Sequence, residues 1–160
     1  KENFGLAGSH AATPNVPGIV GLGVACRLMA EEGAADEQRL RGLSAMMFYE
    51  LRNAVPDLVL NGIEPRLAGN LHVSAPGAPN DLVVARLRNA VAVSTGAACM
   101  SGAQGASHVL QAMMLPQDVQ ESALRIGLGR NTTREDVLEA SKRIAAAIAS
   151  VRISLERQNA

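Results

Sequence analysis

Gly69-Asn70-Leu71-His72-Val73-Ser74-Ala75-Pro76-Gly77-Ala78-Pro79-Asn80 decides the fold class. From Asn70 to Ser74 polar and apolar residues alternate, the period of a strand with one face on a core. Pro76-Gly77 and Pro79-Asn80 stop that strand and cap a helix predicted over 81–89. Upstream, Asp57-Leu58-Val59-Leu60-Asn61-Gly62 reads as a short strand closing in a turn, the neighbour of 69–74. Downstream, Val91-Ala92-Val93 and Ala123-Leu124-Arg125-Ile126-Gly127-Leu128 read as a third and a fourth strand. Around these lie helical patterns. Ile19, Leu22, Gly23, Cys26, Arg27 and Met29 run at helical spacing towards Glu31 after the N-cap-like turn Thr13-Pro14-Asn15, and Gly33 breaks the pattern. Leu40, Leu43, Met47 and Leu51 mark a second helix over 35–53, with Pro56 beyond its end. Residues 107–113 form a short helix with Ser107 near its cap. Thr132 or Thr133 caps a long terminal helix from Arg134 to about Leu155, with Val137, Leu138, Ile144, Ile148 and Val151 towards the core. The sum is an α+β fold, a small, mostly antiparallel sheet packed against helices.

A chain of 160 residues suits one domain with a loosely attached terminus. Apolar residues make up 48% of it and aromatics only 2%, so the core is built from Ala, Leu, Val, Ile and Met and offers no stacking platform for bases. Charges cancel to a net of zero, which argues against direct nucleic-acid binding. The sequence holds no apolar run of about 18 residues, the length a membrane helix needs. Two cysteines, Cys26 and Cys99, are too few for a secreted disulfide scaffold, and a reducing cytoplasm is expected. Cys26 falls on the apolar stripe of the first helix and reads as a packing residue. His72 alternates with Leu71 and Val73 and reads as a solvent-side residue. No set of these residues has metal-ligand spacing, and no metal site is expected.

Cys99 lies in Ser94-Thr95-Gly96-Ala97-Ala98-Cys99-Met100-Ser101-Gly102-Ala103-Gln104-Gly105, a run of small residues with three glycines. Structural cysteines usually sit among bulky apolar neighbours, whereas this composition suits a mobile loop and a thiol free to travel. An ordinary loop cysteine remains the other reading. Arg125 interrupts an apolar strand, where a guanidinium is costly unless it meets an anion. A substrate carboxylate would match its fork with two hydrogen bonds; a structural ion pair with Asp118 or Glu121 would satisfy it as well.

The Cys99 run, then Ser107-His108-Val109-Leu110, then Leu124-Arg125-Ile126-Gly127-Leu128-Gly129-Arg130-Asn131-Thr132-Thr133, resembles the C-terminal part of group I cysteine desulfurases. These are pyridoxal-phosphate enzymes of the class V aminotransferase type that convert L-cysteine to L-alanine and a protein persulfide. The resemblance extends through Thr13-Pro14-Asn15-Val16-Pro17-Gly18-Ile19-Val20-Gly21 and 69–74, covering nearly everything from Thr13 to Leu155. It implies the small domain of a fold-type I pyridoxal-phosphate enzyme over 13–160. Residues 1–12 form an N-terminal segment resembling the start of the family. By the same resemblance Cys99 matches the catalytic persulfide cysteine and Arg125 the arginine that binds the substrate carboxylate. Thr13 matches a cofactor-binding threonine that reaches the phosphate of the other subunit of a homodimer. His108 receives no catalytic role.

The family's Schiff-base lysine is absent, since the only lysines are Lys1 and Lys142 and neither lies in such a motif. The aspartate that pairs with the pyridine nitrogen and the histidine that stacks on the ring are also missing. The chain reads as the family's N-terminal and C-terminal pieces joined near Ala11-Ala12 without the large cofactor-binding domain. The arginine-rich approach to Thr13 is replaced by Ser9-His10-Ala11-Ala12. The expected activity is therefore cysteine desulfuration with the persulfide on Cys99, carried out with a large domain or a full-length desulfurase and inactive in this chain alone. The partners implied are L-cysteine and a sulfur-acceptor or scaffold protein; relatives serve iron–sulfur assembly, tRNA thiolation and DNA phosphorothioation. The alternative is a sulfur carrier or interaction module that receives sulfur from another desulfurase. A folded fragment without activity of its own is the third reading.

Overall fold

A computed structural model describes residues 14–95 and 107–158. The chain divides into two compact units, Lys1–Asp36 and Glu37–Ala160. Helix α1, Val16–Ala54, spans the division. At its start the Asn15 side-chain oxygen accepts the Gly18 N–H at 3.1 Å, satisfying one of the donors that a helix N-terminus leaves open. The break expected at Gly33 does not occur. A glycine inside a helix costs only about 1 kcal/mol, and Glu31, Glu32, Ala34 and Ala35 around it are strong helix formers. A terminating glycine would take a positive φ, and among the described glycines only Gly62 and Gly77 do so.

In the first unit the α1 residues Ile19, Val20, Leu22 and Met29 are exposed. Cys26 is a free, exposed thiol, which corrects its reading as a packing residue. The apolar stripe that carries it finds no core within this unit.

The second unit contains the sheet. Strands β1 (Val59–Leu60), β2 (Asn70–Ser74) and β3 (Ala123–Gly127) form an antiparallel sheet in the order β1-β2-β3. The register pairs Leu71 with Ile126, His72 with Arg125 and Val73 with Leu124. Helices α2 (Asn80–Leu87) and α5 (Arg134–Gln158) complete the core side with the C-terminal part of α1. The core cluster joins Met47 and Leu51 from α1, Leu71, Val73, Leu124 and Ile126 from the sheet, Val83 and Leu87 from α2, and Val137, Ile144, Ile148 and Val151 from α5. Each such buried side chain contributes about 1.5–3 kcal/mol of transfer free energy.

The turn between β2 and α2 follows its residues. Pro76 presets one φ, Gly77 takes φ 78°, and the Ala78 N–H donates to the Ala75 carbonyl at 3.0 Å, as a type II turn requires. Pro79 stands at the N-cap, so Asn80 does not cap α2; its amide instead donates to the Ala123 carbonyl at 3.0 Å. Helix α5 opens with a reciprocal cap. Thr133 Oγ1 accepts the Asp136 N–H at 3.1 Å and Asp136 Oδ2 accepts the Thr133 N–H at 2.9 Å.

Two further differences from expectation have local causes. Residues 91–93 do not form a strand, because the N–H groups of Ala90 and Val91 are spent on the Leu87 carbonyl at the end of α2. Only Ser94 reaches β3, in a single bridge to Arg125. Helix α3 (His108–Ala112) was expected, but α4 (Gln117–Glu121) was not. Five residues after a proline are too few for periodicity to register. Leu110 of α3 and Val119 of α4 are buried yet stand outside the main core cluster. The Ser74 hydroxyl donates to the Val119 carbonyl at 2.7 Å, fastening α4 to the sheet.

Candidate functional site: a cleft on the second face of the sheet

The alternation in β2 and β3 sorts residues between two faces. Leu71, Val73, Leu124 and Ile126 face the core. His72 and Arg125, cross-strand partners, share the opposite face. There a cleft of about 310 Å³ is lined by Asn61, Asn70, His72 and Arg125 from the sheet side and by His108 and Met113 from the α3 side.

Arg125 is exposed on its strand. Its Nη2 lies 3.4 Å from Ser94 Oγ, a weak contact for a guanidinium. Among the described residues it forms no ion pair with Asp118 or Glu121, and the Glu121 carboxylate instead accepts the Gln117 amide at 2.6 Å. Of the two partners open to Arg125 in the sequence, the structural ion pair is therefore the one that does not form. A guanidinium in a cleft with no carboxylate among its described lining residues is suited to an incoming anion.

His72 was read as a solvent-side residue and is half-buried in the cleft. Its Nδ1 lies 3.0 Å from Asn61 Nδ2, and the same Asn61 nitrogen donates to Ser74 Oγ at 2.8 Å. The Asn61 backbone N–H donates to the His72 carbonyl at 2.9 Å. Burial holds the His72 pKa below its usual value, and the positive charge of Arg125 lowers it further. Asn61 Oδ1 is buried and finds no partner among the described residues, a cost of about 1–3 kcal/mol. The signal that could have placed His72 here was its phase. It stands on the same side of the alternation as Arg125 once β2 and β3 are paired. Asn61 gave no such signal, because its role depends on a turn at Gly62, φ 88°.

Ser94 and Ser107, the described residues nearest in sequence to Cys99 on either side that meet this site, contact Arg125 and line the cleft respectively. Cys99 and Thr13 themselves lie outside the described residues. Among the described residues no cluster of His, Cys, Asp or Glu could hold a metal ion, and no described helix is long and apolar enough to cross a membrane.

The described residues thus give a three-stranded antiparallel sheet with helices and an arginine on the face away from the core. The model of the aminotransferase class-V family fits residues 7–139, and the chain belongs to that family. Within it the similar curated proteins are cysteine desulfurases. The chain is 37% identical over 146 residues to the cysteine desulfurase IscS of Ehrlichia chaffeensis, covering 91% of this chain and 35% of that protein. It is 40% identical over 131 residues to the IscS of Anaeromyxobacter sp. strain Fw109-5, covering 81% of this chain and 32% of that one. The mitochondrial cysteine desulfurase of Arabidopsis thaliana is 34% identical over 137 residues, covering 85% and 29%. Among solved structures, a NifS-like protein superposes with a TM-score of 0.74 at 26% identity, over 88% of this chain and 35% of that one. The NifS-like protein from Rickettsia africae, at 21% identity and a TM-score of 0.73, shares the fold. The chain spans about a third of the length of the curated relatives it matches.

The family implies pyridoxal phosphate in the complete enzyme. The described residues of this chain do not fit that group. Among the described residues no lysine and no carboxylate lines the cleft, and Lys142 is exposed on α5. An amine for the aldehyde and an acid for the pyridine nitrogen are both lacking here.

Proposed function

We propose that this chain is the cysteine-bearing small domain of a cysteine desulfurase, contributing the substrate-carboxylate anchor and the sulfur-accepting thiol. The observation that carries the reading is Arg125, presented in a cleft with no acidic residue among its described lining. Arg125 fixes the carboxylate of L-cysteine by paired N–H···O bonds. Cys99 takes the sulfur. A sulfur–sulfur bond forms on its thiol as the substrate's carbon–sulfur bond breaks, and the carbon gains a proton to become L-alanine. The electron sink for that cleavage belongs to the cofactor and to residues outside this chain. In the complete enzyme Thr13 contacts the cofactor phosphate of the second subunit of a homodimer, and the persulfide passes to an acceptor or scaffold protein in the cytoplasm.

The lack of a lysine in the cleft favours a second reading, in which Cys99 receives sulfur from a separate desulfurase. One experiment decides between them. The chain is incubated with L-cysteine and pyridoxal phosphate, with and without an unrelated active desulfurase, and its intact mass is measured. A gain of one sulfur only with the helper, lost in Cys99→Ser, makes the chain a sulfur acceptor. A gain without the helper supports desulfuration by this chain and overturns the argument from the missing lysine. No gain in either arm refutes sulfur acceptance by Cys99.

A further inference from the structure

We infer that His72 is a second, uncharged hydrogen-bond donor to the anion that Arg125 holds, aimed by Asn61 through a fixed ring tautomer. The inference rests on the reading of Arg125 as a carboxylate anchor and adds a binding residue and a positioning residue to that site.

The argument begins at Ser74. Its single hydroxyl proton is committed to the Val119 carbonyl at 2.7 Å, so its oxygen acts as acceptor towards Asn61 at 2.8 Å. The atom of Asn61 that meets it must therefore be the amide nitrogen. That assignment fixes the rest of the chain. One Asn61 N–H is spent on Ser74 and the other is directed at His72 Nδ1, 3.0 Å away. A neutral imidazole that accepts at Nδ1 carries its proton on Nε2. Reversing the amide would set two acceptors against each other at Ser74, and the buried Oδ1 without a partner is the cost of the orientation observed.

The ring so fixed stands opposite Arg125 across the β2–β3 ladder and lines the same cleft. With Nδ1 turned to Asn61, Nε2–H is the polar edge left to the cleft. Burial and the Arg125 charge both disfavour the imidazolium, so the ring donates without adding a second charge. One guanidinium and one neutral N–H suit a monoanionic carboxylate. A dianion such as a phosphate ester would leave charge uncompensated in a half-buried cleft.

The test uses the 160-residue chain and L-alanine, a carboxylate without a thiol. Nitrogen-15 spectra of the His72 ring should show the Nε2–H tautomer; an Nδ1–H ring overturns the inference. L-alanine is then titrated against wild type, Arg125→Gln, His72→Phe and His72→Gln, following β2 amide shifts, with the unperturbed spectrum of the core strands as the check on folding. His72→Phe should weaken binding about tenfold, the effect of one hydrogen bond to a charged group. His72→Gln, whose amide nitrogen reaches the position of Nε2, should retain most of it. Loss in Arg125→Gln with no change in His72→Phe overturns the inference and leaves the Arg125 reading standing. Absence of binding by wild type overturns both.

Discussion

Substituting alanine at two glycines of the β2–β3 region should have very different effects, and the structure supplies both magnitudes. A Cβ on Gly69 would collide with the backbone carbonyl oxygen of Leu128. The Leu128 N–H donates to the Gly69 carbonyl at 2.8 Å, so the two backbones are held together there and neither is a flexible side chain that could yield. Opening the approach costs about 1–3 kcal/mol in overpacking strain and about 1 kcal/mol for the hydrogen bond displaced. Gly69→Ala should therefore lose about 2–4 kcal/mol, or roughly 5–15 °C in Tm for a domain of this size. Gly127 pairs with Asn70 in the same ladder, but a Cβ there meets nothing within 4 Å and its φ is not positive. Gly127→Ala should be neutral or stabilise by about 0.5 kcal/mol, through the less flexible unfolded chain. Urea titration followed by far-UV circular dichroism measures both. Equal stabilities within about 0.5 kcal/mol would refute the close approach of Leu128 to Gly69 as the reason for a glycine at this position.

Further outcomes follow from other parts of the structure. His72 should titrate below the usual histidine range. Its folded-state pKa is depressed, so the unfolded chain takes up the proton first; stability is full above the unfolded value and falls as pH drops below about 6.5. Arg125→Met should raise the His72 pKa by less than its full depression, because burial is the larger cause; proton NMR of the ring reads both, and complete restoration would contradict that order. Thr133→Ala should cost about 1 kcal/mol by removing the α5 cap. It should also raise the Asp136 pKa, since the Thr133 N–H and hydroxyl are what hold it down. An unchanged Asp136 titration would argue against the cap.

Much of the fold is legible in short-range pattern. The alternation of 70–74, the Pro76-Gly77 turn and a cap at Thr132 or Thr133 each depend on residues within a few positions; the structure puts the cap at Thr133. The Gly33 break was misread for the same local reason, because a glycine flanked by helix formers lowers helix stability without ending it. Residues 91–93 were misread because their strand propensity competes with the end of α2, which takes up the N–H groups first.

By itself the sequence determines the α+β class, the faces of β2 and β3, and the family, because periodicity, turn chemistry and motif order are properties of neighbouring residues. By resemblance it also proposes Cys99, Arg125 and Thr13 as site residues. Only the tertiary structure decides that Arg125 pairs with neither Asp118 nor Glu121, since those distances depend on how α4 packs. Only it brings Asn61, His72 and Ser74 into one hydrogen-bonded chain, because β1 and β2 must pair before residues eleven apart can meet. Only the structure, too, shows Cys26 exposed, since an apolar stripe becomes a core only where a partner surface covers it.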